Sequence, residues 1–242
     1  MWHVATYQPV TFFSLRPANA TTAGGKTLVT PTPYAFKMAL LNAAIRVYGL
    51  EQGKAWFPRL RDLEVAIRLP DALLVIGTFQ RIRRPRKETP TDTGLIAVWQ
   101  SNIAFREYVH FGGPLVLAVQ EPEPLDPPLP WEVLFSQINY LGKRGSFVQF
   151  MGYETADDLP WEWPGGFVWL NPDTPGAIEP TGLLQLLDDC GPKMTFAHAD
   201  IYDKTRLKVG NYEDGRQLKT VVLPYRMSAT ARGFTLYERL TA

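Results

Sequence analysis

The chain has 242 residues, 45% of them hydrophobic, which is long enough to bury a full core as one elaborated domain or a domain with a smaller companion and argues against wholesale disorder. The net charge of +1 confines any nucleic-acid surface to a local patch, and the single cysteine, Cys190, excludes an internal disulfide. No Cys/His spacing resembles a zinc site, no cofactor is implied, and no stretch approaches the apolar length of a membrane span; with no signal peptide in MWHVATYQPVTFF, a cytoplasmic location is expected.

The opening WHVATYQPVTFFSLR mixes aromatic and β-branched residues and reads as a strand. Next comes ATTAGGKT, residues 20–27, which has the letters of a phosphate-binding loop. Its mechanics fail, because Pro31 and Pro33 prevent the helix that must start at the Lys-Thr pair. The helix starts later. Thr32 can cap it, Pro33 suits its first position, Phe36, Leu40, Ala43, Ala44 and Val47 recur at helical spacing, and Gly49 stops it. Twenty-one prolines, about 9% against a usual share of about 5%, predict rigid turns and interrupted strands elsewhere.

DALLVIGTFQRI, residues 71–82, forms an apolar strand, and RRPRKETPTDTG is too polar and Pro-broken to be core, so it reads as a protruding hairpin or loop. A further strand ends in LAVQ, 117–120. EPEPLDPPLP packs five prolines and three acids into ten positions and reads as an extended linker. A short helix is expected over Trp131–Tyr140, irregular packed chain over 160–180, a compact helix over TGLLQLLDDCG, and two strands able to pair as a hairpin in LKTVVLPYRMSATARGFTLYERL. The fold class is therefore α+β with a ferredoxin-like βαββαβ core, divided as 1–120 for core and insertion and 121–242 for linker, remaining core elements and a β-rich C-terminal part.

Two basic clusters stand out. RIRRPRK, 81–87, holds five cations in seven residues and fits either a solvated loop that blunts a sheet edge or a phosphate-contacting arm. LGKRGSFVQF sets Lys143 and Arg144 between Gly142 and Gly145, which permit a tight turn whose N–H groups approach a phosphate, with Ser146 and Gln149 as neutral donors. An ordinary hairpin turn is the alternative. Strand alternation places Arg106, Tyr108 and His110 on one face, where His110 is either structural or a general acid–base group for RNA cleavage. His198, with Asp200 and Asp203, suits a polar loop better than a metal site, and Trp161, Trp163 and Trp169 either stack bases or hold an irregular region together.

A strand ending in an aromatic and Arg, TPTPYAFKMALLNAA, a REY segment before a strand, LGKRGSFVQF and a terminal VVLPYR…FTLYERL occur in an order that resembles the Cas-five family, the RAMP subunit of type I CRISPR Cascade surveillance complexes. The resemblance spans most of the chain. It implies a ferredoxin-like (RRM-like) core with an inserted β-hairpin thumb at about 82–104, its base bearing Arg81, Arg83, Arg84, Arg86 and Lys87. It further implies a subunit that holds the 5′ handle of the CRISPR RNA through Arg16, Lys26, Tyr34, Lys37, Arg106, Lys143, Arg144, Ser146 and Gln149. Its implied neighbours are the backbone subunit whose filament it caps and the large subunit, with target DNA met indirectly. One branch of the family cleaves precursor RNA with a Tyr/Lys/His set. Here Val109 precedes His110 where that branch resembles a Lys-His pair, so a non-catalytic scaffold is expected. The rival is an endoribonuclease using His110 with Tyr108 or Tyr34; the third reading is a protein-interaction module with no RNA role.

Overall fold

The structure, a computed structural model, describes residues 1–20, 25–85, 99–123, 125–171, 181–203, 205, 208–210 and 212–241. Chain order runs β1 (Trp2–Pro9), α1 (Pro33–Tyr48), α2 (Leu50–Arg61), β2 (Glu64–Arg68), β3 (Ala72–Pro85), β4 (Trp99–Phe111), β5 (Leu115–Gln120), α3 (Trp131–Ser136), β6 (Val148–Ala156), β7 (Val168–Trp169), β8 (Leu183–Cys190), α4 (Phe196–Ala199), β9 (Arg216–Leu223), β10 (Tyr225–Ala231) and β11 (Phe234–Arg239). This is a mixed α/β fold with antiparallel sheets.

The central sheet has the order β6-β1-β5-β2-β7 with every neighbouring pair antiparallel. Its period-2 alternation sorts side chains onto two faces. Ala5, Tyr7, Val65, Ile67, Leu117 and Val119 face the helices and meet Phe36, Leu40 and Phe135. Trp2, Val4, Ala66, Val116 and Ala118 face the other way and are covered by Leu159, Trp161 and Phe167. Helix α1 begins as the sequence reading expects, with the Thr32 side chain accepting from Ala35 N, proline at the first turn, and Gly49 at φ 88° ending it. Helix α2 and strand β2, which carry weaker signals, return the chain to the sheet, where β2 lies between β5 and β7.

Strands β3 and β4 leave this layer as a long hairpin in register from Leu73↔Phe111 to Pro85↔Trp99, and join β11 and β10 in a second sheet. Tyr225 anchors that sheet by donating its hydroxyl to Pro70 O, and Arg239 holds Asp71 at 3.0 Å.

Three expectations need correction. TGLLQLLDDCG is strand β8, paired along its whole length with β9, and not a helix. Its leucines satisfy helical and extended spacing alike, and a partner strand far along the chain decides between them. The closing run yields strand β9, which pairs with β8, followed by the β10–β11 hairpin, so it is three strands broken at Pro224. The helix at Trp131 ends at Ser136, short of Tyr140. Among the described residues no helix is long and apolar enough to cross a membrane.

The β8–β9 hairpin is attached through a buried polar network. Lys37 of α1, 1% exposed, places Nζ 2.7 and 2.9 Å from the two oxygens of Asp189 and donates to Arg61 O at 2.7 Å. Asn171 donates to Asp189 and Leu63 O and accepts from Val65 N, while Cys190 N donates to the other Asp189 oxygen. Each charge is compensated, so the network costs little as built and much if halved. Lys37→Met is expected to cost about 3–5 kcal/mol in urea unfolding, and Lys37→Met/Asp189→Leu less than the sum of the two single changes.

Burial pushes the Cys190 thiol up to about 12, against the pull of Lys37 and Arg216. The native protein is expected to resist a thiol-specific reagent near pH 8 and to react through Cys190 only as it unfolds, measured as labelling rate against denaturant.

Candidate nucleic-acid interface

The outer edge of β4 is covered by two crossing segments. Phe13 exchanges both backbone hydrogen bonds with Val109 at 2.8 Å, and Glu107 N donates to Gly25 O at 2.7 Å. Leu28 N donates to Leu15 O at 2.6 Å, closing the two segments on each other. Gly25 must be glycine here, since a Cβ would lie 2.2 Å from Phe105 O. This seam sets Arg16 and Lys26 beside Arg106, with Lys26 held by Glu107 at 2.7 Å.

A third segment brings Lys143. Gly142 and Gly145 have φ of 73° and 103°, the turn the sequence reading expects. Thr11 pins it, donating to Gly145 O at 2.6 Å and accepting from Phe147 N at 2.9 Å. Lys143 then lines two cavities, of about 360 and 210 Å³, that share Ser14 and Arg16. Lys26 and Arg106 border the smaller; Tyr34, Asp188 and Arg216 border the larger. The result is a continuous basic cleft.

Arg216 is the residue sequence reasoning missed. Its guanidinium carbon lies 3.8 Å from the Tyr34 ring centroid and its Nη1 3.2 Å from Asp188, a diagonal neighbour across the β8–β9 pair. A lone cation opening RQLKTVV gives no signal until β8 is known to be its partner strand. Burial raises the Tyr34 hydroxyl above its ordinary range, with Arg216 opposing. Burial likewise raises the Asp188 carboxyl, although Arg216 and the Thr32 hydroxyl favour its charged form.

Of the remaining candidates, Lys37 is not in the cleft, because its charge is taken up in the core by Asp189. Ser146 is 2% exposed, its N–H donating to Lys143 O and its C=O accepting from Leu141 N, so it closes the turn and does not face a ligand. Arg144 is exposed at the turn, and Gln149 is exposed on β6 opposite Gln8. Arg81, Arg83 and Arg84 are exposed on the hairpin stem, the first two on the face of Phe79 and Phe105 and the third on the opposite face. Arg86 and Lys87 lie outside the described residues. The register does put Arg106, Tyr108 and His110 on one face, with His110 against the Phe12 ring at 5.6 Å. His198 caps α4, its Nδ1 accepting from Thr195 N at 3.1 Å. Trp161 stacks on Trp169 and meets the edge of Trp2, holding the irregular 157–170 segment onto the sheet.

No family model matches the chain. A curated CRISPR-associated protein Cas5 of Archaeoglobus fulgidus is 26% identical over 160 residues, covering 66% of this chain and 67% of that protein. The Cas-five resemblance is borne out. Two solved structures also align with 99% of this Cas5-like chain: a CRISPR protein from Archaeoglobus fulgidus, at 14% identity, TM-score 0.46 and 92% of its own length, and a CRISPR RNA-guided surveillance complex, at 12% identity, TM-score 0.47 and 91% of the aligned chain.

The Asp188 shift gives a signed expectation for this Cas5-like chain. Its folded carboxyl binds its proton above the unfolded value of 3.8, so its contribution to stability is greatest below that pH and falls as pH rises through the folded value. Asp188→Asn cannot titrate. The stability of the wild type minus that of Asp188→Asn is expected to decline from about pH 4 upward and then level off, measured by denaturant midpoints across pH.

Proposed function

We propose that this chain is the non-catalytic CRISPR RNA-binding subunit of a type I Cascade effector complex, holding the 5′ handle of the guide and capping the backbone filament, next to the large subunit. The observation that carries the reading is the cleft, which gathers Arg16, Lys26, Tyr34, Arg106 and Lys143 from separate parts of the chain into one surface and adds Arg216. A single strand held splayed in one register calls for cations at phosphates, an aromatic platform and polar groups at base edges, and all three kinds of group line this cleft. The curated relative, a CRISPR-associated protein Cas5, supports placing the chain in a CRISPR system.

The strand order β6-β1-β5-β2 with α1 and α3 as its crossovers supports a ferredoxin-like core, and the β3–β4 hairpin enters between its second and third strands, where an inserted thumb belongs in this reading. The exposed arginines on its stem would then reach the first guide segment. Nuclease chemistry has less support, since Tyr34 is engaged by Arg216 and His110 rests against Phe12.

The test is RNA affinity against salt. With a repeat-derived single strand, the slope of log K on log salt is expected to flatten by about 1.4 in Arg106→Ala/Lys143→Ala, at about 0.7 per lost phosphate contact. An unchanged slope would remove these residues from the interface. Incubation of a hairpin precursor in chelator is expected to leave it intact, and cleavage abolished by His110→Ala would favour the endoribonuclease instead.

A further inference from the structure

The larger cavity is uneven in chemistry. Leu28, Ala35, Met38 and Ala39 give it an apolar side, and Tyr34, Asp188 and Arg216 give it a polar one. At about 360 Å³ it far exceeds what a phosphate group fills and has room for a base with its sugar.

The polar side holds unused hydrogen-bonding capacity of both kinds. Asp188 is 4% exposed and takes one bond from Arg216 Nη1, and the Thr32 hydroxyl also favours its charged form. A carboxylate has about four acceptor positions, so it can take more donors. Beside it, the Nε of Arg216 is buried and has no hydrogen-bond partner. A buried donor left unmade is costly, and such a group asks for an acceptor. The complement of this pair is a planar edge with adjacent N–H donors flanked by a carbonyl oxygen. Guanine has two such donors, N1–H and the N2 amine, next to O6. Adenine and cytosine bring one amine and no neighbouring N–H; uracil brings one N–H, and both pyrimidines leave more of the apolar wall uncovered.

We propose that this cavity takes one splayed-out guanine of the bound RNA, with N1–H and the N2 amine donating to Asp188, O6 accepting from Arg216 and the ring lying against the Leu28–Met38 side. The inference rests on the RNA-binding reading above and adds base selectivity to it. Discrimination is strong at such a site because a wrong base leaves buried polar groups unpaired.

The experiment mixes the full chain with short randomised single-stranded RNA and sequences the bound fraction at low and moderate salt. Guanine is expected to be enriched at one position. In an individual RNA from that set, inosine at this position is expected to weaken wild-type binding by roughly tenfold, because it lacks only the N2 amine. Asp188→Asn is expected to erase the guanine enrichment while salt-dependent binding is retained. The inosine comparison uses unaltered protein and so stands if the variant does not fold. Salt-dependent binding with no base preference, with full tolerance of inosine, or with a guanine preference that survives Asp188→Asn overturns this proposal and leaves the RNA reading intact. Absence of any salt-dependent binding overturns both.

Discussion

The Lys37–Asp189 ion pair is the contact on which the rest of the arrangement depends. It joins the first turns of α1 to the last residues of β8 with both side chains nearly buried, and Asn171 extends it to strand β2. Buried charges with fixed partners tolerate little displacement, since a shifted partner leaves an uncompensated ion in low dielectric. The two-stranded β8–β9 sheet is thereby held against α1 at one register. The adjacent residue in sequence, Asp188, then falls on the opposite face of β8 from Asp189, and it is this face that meets Tyr34 and Arg216. One carboxylate fixes the hairpin; its neighbour furnishes the cleft.

Charge is handled in the cleft in a correspondingly local way. Lys26 and Arg216 each lie against a carboxylate, Glu107 and Asp188, while Lys143 stands on an exposed turn. The two carboxylates hold cationic side chains in place and temper the field they produce, which suits a chain whose net charge is only +1.

How much of this was legible in the sequence depended on how local the causes were. The start of α1 is written in Thr32-Pro33 and was read correctly, as was the glycine-flanked turn around Lys143, because caps and positive-φ positions are set by neighbouring residues. The alternation of Arg106, Tyr108 and His110 was likewise visible. By contrast, β8 was read as a helix because LLQLLDD has no local feature that excludes one, and its strand partner begins at Arg216, on the far side of α4. That same misreading hid Arg216. The family resemblance implies Lys37 as an RNA contact; only the position of Asp189 shows that its side chain turns into the core. Ser146 reads as a donor from its type alone, and its burial follows from closing the turn.

The cleft is bordered by residues from Ser14 to Arg216, and this span has a consequence for synthesis. Chain emerges from the ribosome in order, and contacts between distant segments form only after both are available. Arg16, Lys26 and Arg106 are present early, but the side formed by Asp188 and Arg216 arrives in the last quarter of the chain. A nascent polypeptide therefore carries exposed cations well before it carries a completed pocket. Closure of the cleft becomes a late event, timed by the docking of β8 and β9 onto a helix made long before them.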